Sequence, residues 1–171
     1  MPQGVDSIIR NARVMIDVGH HKIHEGSAFR VTDPYTAGGA LTRVWKITTP
    51  IGKKCHLLFQ VSADIAFRAM LNENPALGTA TWTDKTAYNM NRNSTNTPTT
   101  TVKQENAIGT YASGAIILFD EFVGAGSGPT RFGGNSRAEA ELILKENEDY
   151  GLEVTVGGAG NITPMFEWYE V

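Results

Sequence analysis

The sequence is poor in the side chains that redox centres, metal clusters and covalent catalysts use. Cys55 is its single cysteine, so no disulfide can form within the chain. The thiol stands between Lys54 and His56 at the start of an apolar stretch, where a strand would turn it toward an apolar face. A buried or half-buried, unreactive thiol is therefore the expected state, and a nucleophile is not.

Charge is scarce as well. Charged residues make up 19% of the 171-residue chain, and 18 acidic side chains against 15 basic ones give a net charge of −3. Such a chain has no basic field to attract phosphate backbones, so nucleic acid is not an expected partner. No segment approaches the roughly 20 apolar residues that span a bilayer, and the first residues lack the apolar core of a signal peptide. We expect no membrane partner and synthesis in the cytoplasm.

What the chain does have is an apolar residue at every second position. From residue 57 to residue 71 one face is wholly apolar, whereas Gln60, Ser62, Asp64 and Arg68 stand on the other. Alternation of this kind is typical of a strand with one buried and one solvated face. The stretch is longer than an ordinary strand, so it predicts two strands or one bent strand. Its apolar face consists of Leu57, Phe59, Val61, Ala63, Ile65, Phe67, Ala69 and Leu71.

The C-terminal third repeats the alternation at even positions. Leu142 and Leu144 precede an acidic turn at 146–149, and Leu152 and Val154 continue the pattern beyond it. Residues 137–147 are rich in helix formers, so a helix is the competing interpretation. Strand is favoured because the alternation continues unbroken past the turn.

The remaining apolar stretches complete an all-β pattern. Strands are predicted over 23–31, 41–48, 79–87 and 115–123, and the continuous apolar run at 115–119 predicts a strand covered on both faces. About seven or eight short strands between Gly, Pro and Asn turns indicate an antiparallel β-sandwich, of which the jelly roll is one wiring. Residues 1–18 are predicted to be an N-terminal arm, and residues 19–171 a β-sandwich domain.

The densest group of possible metal ligands is His20, His21 and His24, followed by Glu25. On a helix, His20 and His24 would face together in the i, i+4 spacing of zinc proteases. The glutamate that such proteases place after the first histidine is missing, and nothing locates a third ligand. The expected structure is instead a strand edge whose histidines bond to neighbours or line an intersubunit contact. We predict no metal site and no cofactor.

No other motif supplies a reaction centre. Asp120 and Glu121 are adjacent on a predicted strand and point to opposite faces, so they cannot act as a glycosidase pair. The glycine-rich stretch 124–134 lacks the Lys-Ser/Thr of a phosphate loop, and no serine stands in a nucleophile elbow. The acidic turn at 146–149 is expected to be solvated. We predict no catalytic residue and no enzymatic activity.

Aromatic residues are the usual platform for sugar rings. Trp45, Trp82, Phe166, Trp168 and Tyr169 are expected to be core or interface anchors. Carbohydrate binding stays open at this stage, because the sequence does not show which of these rings are exposed.

Short patterns spread over the chain from about residue 20 onward resemble those of small bacteriophage head proteins that act as capsid decoration, or cement, proteins. The clearest are His-His-Lys-Ile-His-Glu-Gly-Ser-Ala-Phe at 20–29, Tyr-Asn-Met-Asn-Arg-Asn-Ser at 88–94 and the ending Phe-Glu-Trp-Tyr-Glu at 166–170. Further pieces lie at 73–75, 78–79, 131–134, 142–145 and 150–154. The resemblance implies a jelly roll or related sandwich, symmetric assembly and binding to the outer capsid surface, without catalytic residues.

On this resemblance the expected partners are the phage major capsid protein and further copies of the chain, in a dimer or trimer, and the expected location is the virion. The apolar residues of the arm, Ile8, Ile9, Val14 and Met15, are predicted to contribute to the capsid contact. A phage tail, baseplate or head-fibre base protein and a carbohydrate-binding sandwich stay open as alternatives.

Overall fold

The computed structural model describes residues 18–107, 112–113, 116–124, 130–133 and 141–171. Ile8, Ile9, Val14 and Met15 lie outside these residues, and helix α1 (Val18–His24) spans the boundary predicted between arm and domain. The strands are β1 (Ala28–Thr32), β2 (Tyr35–Gly38), β3 (Leu41–Thr48), β4 (Cys55–Ala63), β5 (Phe67–Glu73), β6 (Thr81–Asp84), β7 (Tyr88–Asn89), β8 (Thr101–Ala107), β9 (Ile116–Val123), β10 (Thr130–Gly133), β11 (Leu142–Leu144), β12 (Asp149–Val156) and β13 (Ala159–Glu170).

The strands form two antiparallel sheets that pack face to face. The first has the order β10-β4-β13-β1-β7, with β11 also paired to β4 and β2 to β13. The second has the order β6-β8-β3-β12-β5-β9. The all-β sandwich predicted from the alternation is confirmed.

The pairing of strands identifies the wiring as a jelly roll. Strand β1 pairs with β13, β3 with β12, β4 with β10 and β5 with β9, so the chain folds back on itself as one long rolled hairpin. Successive pairs fall alternately in the two sheets. The central orders β1-β13-β4-β10 and β3-β12-β5-β9 are those of an eight-stranded jelly roll.

The eight-stranded plan is extended by the short strands β2 and β11, which pair with β13 and β4, and by a longer insertion. Between β5 and β9 the chain forms β6, β7 and β8, which extend both sheets on the same side of the sandwich. Strands β6 and β8 lie beyond β3, and β7 lies beyond β1. On the opposite side, β9 and β10 are the last described strands of their sheets.

The stretch with the longest alternation, 57–71, consists of two strands, as one of the two predicted alternatives had it. Strand β4 belongs to the first sheet and β5 to the second, yet their odd-numbered residues point into one core because the sheets face each other. Leu57, Val61 and Leu71 are fully buried there, together with Trp45 and Trp168. The prediction that the even-numbered apolar residues of the C-terminal third face the core is confirmed as well, since Leu144, Leu152 and Val154 are buried. Residues 137–140 lie outside the described part.

The strand predicted over 23–31 is wrong in its first half. Helix α1 runs to His24, and β1 begins only at Ala28. The helix ends in a Schellman motif, in which the Ser27 N–H donates to the Lys22 carbonyl and the Gly26 N–H to the Ile23 carbonyl, both at 3.0 Å. Gly26 supplies the left-handed conformation, with φ of 72°, that this cap requires.

Candidate binding surface

Strand β9 presents an apolar surface to solvent. Phe122 is 78% exposed, Ile117 53%, Ile116 48% and Leu118 38%, which makes four of the eight exposed large apolar side chains in the described residues. The strand predicted over 115–123 exists, but the prediction that both of its faces are covered is wrong. The run is apolar although β9 ends its sheet, with β5 on one side and no described strand on the other.

The strand is nevertheless anchored to the core. Phe119 and Val123 are half-buried on its inner face, and the Phe119 ring lies edge-on to Phe59 with centroids 5.8 Å apart. A bulge breaks the register with β5 between Leu71 and Asn72. Bulges are common at sheet edges, where they re-aim side chains. Strand β9 is thus a fixed edge, with Phe119 and Val123 toward the core and its other large apolar side chains exposed.

An ion pair marks the centre of this edge. The Arg68 guanidinium donates from Nε to Asp120 Oδ1 at 2.7 Å and from Nη2 to Asp120 Oδ2 at 2.5 Å. These hydrogen bonds lower the pKa of Asp120 and raise that of Arg68. The same guanidinium lies 5.9 Å from the centre of the Phe122 ring. Both groups are largely solvated, so the pair orients the side chains and adds little stability.

The edge also carries an exposed carboxylate, Glu121. Charged side chains on an edge strand discourage indiscriminate pairing with other strands, while exposed isoleucine and phenylalanine provide contact area. A partner that covers the exposed apolar side chains must therefore accommodate the Phe122 ring and the aliphatic groups beside it. We call the exposed side chains of Ile116, Ile117, Leu118 and Phe122 the β9 surface.

At another corner, a network of asparagines holds α1 and β1 to the insertion. The Asn89 side chain donates to the carbonyls of Gly26 at 2.8 Å and Asn96 at 3.0 Å, and it accepts from the Asn91 N–H at 2.9 Å. The Asn91 side chain donates to the His24 carbonyl at 3.0 Å. The sequence patterns at 20–29 and 88–94 thus contact each other through these hydrogen bonds.

A polar cavity of about 490 Å³ opens beside this network. Glu170 and Lys53 lie in its wall, with Ser27, Asn96 and Phe29 around them. The carboxylate of Glu170 accepts from the backbone N–H groups of Thr99 and Thr100 at 2.8 and 2.7 Å, from the Thr99 hydroxyl at 2.6 Å and from Lys53 at 3.2 Å.

These hydrogen bonds decide the charge state of Glu170. Burial alone would raise the pKa of Glu170, but the bonds from Thr100, Thr99 and Lys53 outweigh it and the pKa is lowered. A carboxylate so fully bonded holds the cavity wall together and does not act as a general base.

The single cysteine is buried, as the sequence predicts. Cys55 is fully buried, and burial raises the pKa of its thiol from 9.0 to about 12. A thiol held protonated and out of solvent is neither a nucleophile nor a metal ligand at neutral pH.

The histidines occupy two separate places. His20 and His24 lie one turn apart on α1, with their Nε2 atoms 3.0 Å apart. The predicted strand edge is therefore wrong, and the i, i+4 geometry weighed as the alternative is the one present. His56 lies elsewhere, where its Nδ1 is 2.7 Å from the Glu141 carboxylate, which also accepts from the Tyr169 hydroxyl at 2.9 Å.

The aromatic residues considered as a sugar platform are mostly core residues. Trp45, Phe166 and Trp168 are fully buried and Tyr169 is 5% exposed. Trp82 is half-buried at the edge strand β6, with the Lys46 ammonium 5.6 Å from its ring. These rings form no exposed row.

Two acidic groups were considered in the sequence, Asp120 with Glu121 and the turn at 146–149. Asp120 turns outward to Arg68, so it does not face Glu121 across a cleft. In the turn at 146–149, Glu146 is exposed and accepts from the Gly52 N–H at 2.9 Å, whereas Asp149 is half-buried and accepts from the Thr48 hydroxyl at 2.5 Å. The turn is thus fastened to the end of β3 and is not wholly solvated.

Among the described residues there is no group of three or more histidine, cysteine, aspartate or glutamate side chains placed to hold a metal ion. Within the same residues, no helix is long and apolar enough to cross a membrane. Comparisons of the chain with protein-family models, with curated proteins and with solved structures found no match.

Proposed function

We propose that this protein is a virion structural protein that binds the outer surface of a bacteriophage capsid and cements neighbouring capsomers. The observation that carries the proposal is the β9 surface, an apolar edge on a rigid jelly roll. A fold of this kind hosts many functions, capsid proteins among them, so the fold alone does not decide. An exposed apolar edge, in contrast, needs a partner to cover it.

The proposed partner is the major capsid protein. In the part of the chain that the structure describes, no strand pairs with the outer edge of β9. An open edge with large side chains is what strand addition to another protein uses. The interlocked asparagines and the bonds around Glu170 keep the sandwich rigid, as a protein that resists outward pressure on a shell requires. The N-terminal arm, through Ile8, Ile9, Val14 and Met15, is proposed as a second contact with the capsid.

Binding to heads that lack this protein tests the proposal. Phe122→Thr keeps a strand-forming residue but removes the ring, and should lower affinity for heads at least about tenfold, since central aromatic anchors dominate interfaces. Ile51→Thr is the matched control, because Ile51 is 79% exposed against 78% for Phe122 but lies in the turn after β3. Co-sedimentation of the purified variants with heads measures both affinities.

The arm is tested in the same assay. Deletion of residues 2–14 should abolish head binding while the circular dichroism spectrum and melting temperature of the domain stay those of the intact chain. Unchanged occupancy with both Phe122→Thr and the deletion would overturn the proposed contacts. Failure of the intact protein to bind heads would overturn the function itself.

A further inference from the structure

Two exposed histidines on α1 have the spacing of ligands on one metal ion. The Nε2 atoms of His20 and His24 are 3.0 Å apart and share a hydrogen bond, which an ion bound by both atoms would replace. The rings lie edge to face with centroids separated by 4.6 Å. With metal–nitrogen distances of about 2.0–2.1 Å, two ligands lie about 2.9 Å apart at a right angle and about 3.3 Å apart at the tetrahedral angle. The observed separation falls between these values.

We propose that His20 and His24 form an open surface site for a borderline divalent transition-metal ion such as Zn²⁺, Ni²⁺ or Cu²⁺. Imidazole nitrogen suits these ions, whereas Mg²⁺ and Ca²⁺ prefer oxygen ligands. The two histidines supply two coordination positions.

The surroundings of α1 hold the pair in place. The Schellman motif of Gly26 and Ser27 caps the C-terminal end of the helix. The Asn91 side chain donates to the carbonyl of His24 itself. A short helix fixed at its end keeps both rings in the i, i+4 relation. Less ordering is then lost when an ion binds, which favours chelation by two side chains over binding by one.

The third histidine of the helix is not part of the site. His21 Nε2 lies 2.8 Å from Glu25, and Lys22 lies 2.7 Å from the same carboxylate. Glu25 is thus engaged by two cationic or donor groups and does not complete the coordination of the ion. His21 serves instead as a matched control, since it is an exposed histidine on the same helix that the proposal leaves out.

The test is calorimetric titration of the untagged full-length protein with Zn²⁺ near neutral pH. We expect one saturable ion per chain, a loss of affinity of at least about tenfold in His20→Ala and in His24→Ala, and an affinity within about twofold of wild type in His21→Ala. Mg²⁺ should give no binding heat above dilution. Circular dichroism of each variant verifies that α1 and the sandwich are retained.

A spectroscopic readout separates coordination from an indirect effect on the helix. The nitrogen hyperfine structure in the electron paramagnetic resonance spectrum of the Cu²⁺-loaded protein should show two imidazole nitrogens, and one in either single variant. Equal affinities in wild type, His20→Ala and His24→Ala would overturn the proposal. So would an equal loss in His21→Ala, or the absence of saturable binding to the intact protein.

Discussion

At the scale of single residues, Glu170 shows how a buried charge is held in a sandwich of this kind. The residue is 6% exposed, and its carboxylate joins the last strand to the backbone of Thr99 and Thr100. A buried charge is stabilising only when its hydrogen bonds outweigh its desolvation. The lowered pKa of Glu170 indicates that they do.

Replacing Glu170 with glutamine should therefore destabilise the protein. The loss of a charged acceptor shared by two backbone N–H groups, one hydroxyl and Lys53 is expected to reduce the free energy of unfolding by about 2–4 kcal/mol at neutral pH. Glu146→Gln, at an exposed carboxylate bonded to the Gly52 N–H, should change it much less. Urea unfolding measures both values, and equal losses would contradict this account of Glu170.

The difference in unfolding free energy between wild type and Glu170→Gln should depend on pH. Because the folded pKa of Glu170 lies below its ordinary value of 4.5, its contribution is present above pH 4.5 and is lost as the pH falls through the folded pKa. The difference in unfolding free energy between wild type and Glu170→Gln should thus be constant above pH 5 and shrink below pH 4.5. A difference that does not depend on pH would contradict the assigned charge.

Cys55 gives a second prediction at this scale. Since the thiol is buried and its pKa is raised to about 12, it should react with a thiol reagent at pH 8 only through opening of the fold. Labelling of the native protein should be slower than that of the denatured protein by at least roughly 100-fold. Rapid stoichiometric labelling of the native protein would show that the thiol is accessible.

At the scale of elements, the sequence predicts most strands because one face of each is buried. Alternation locates β4, β5 and β12, and β3 has the predicted bounds of 41–48. The prediction fails at β9, because a continuous apolar run is typical of a strand covered on both faces and β9 is exposed. The adjacent Asp120 and Glu121 are the signal for an edge, since charges on a strand guard edges and are rare in covered strands. Helix α1 was missed although Gly26 marks its end, because a helix of under two turns has too short an apolar pattern to detect.

One substitution tests whether the asparagine network holds the insertion in place. Asn89→Ala removes three hydrogen bonds that join β7 to Gly26, Asn96 and Asn91, and should reduce the free energy of unfolding by about 1–3 kcal/mol. Asn93→Ala is the control, because the Asn93 backbone N–H donates to Asn91 and survives the change. Chemical unfolding compares them. Equal stability of the two variants would show that the network does not hold the insertion.

At the scale of the whole molecule, the sandwich class is predictable from the sequence and the wiring is not. Residues that pair across the rolled hairpin are far apart in sequence, as Phe29 and Trp168 are, and no local pattern links them. The two interlocking patterns at 20–29 and 88–94 are visible in the sequence, yet their contact depends on an insertion whose path only the structure shows. The exposure of the β9 surface depends likewise on the order of strands in the sheet.

A cryo-electron microscopy reconstruction of purified heads of the phage that the proposal assigns as the source of this protein tests the proposed function most directly. We expect regular density over capsomer junctions that fits this jelly roll, with β9 or the N-terminal arm against the lattice. The copy number should be proportional to that of the major capsid protein. A bare capsid surface, with the protein found in a few copies at the tail or missing from the particle, would contradict it.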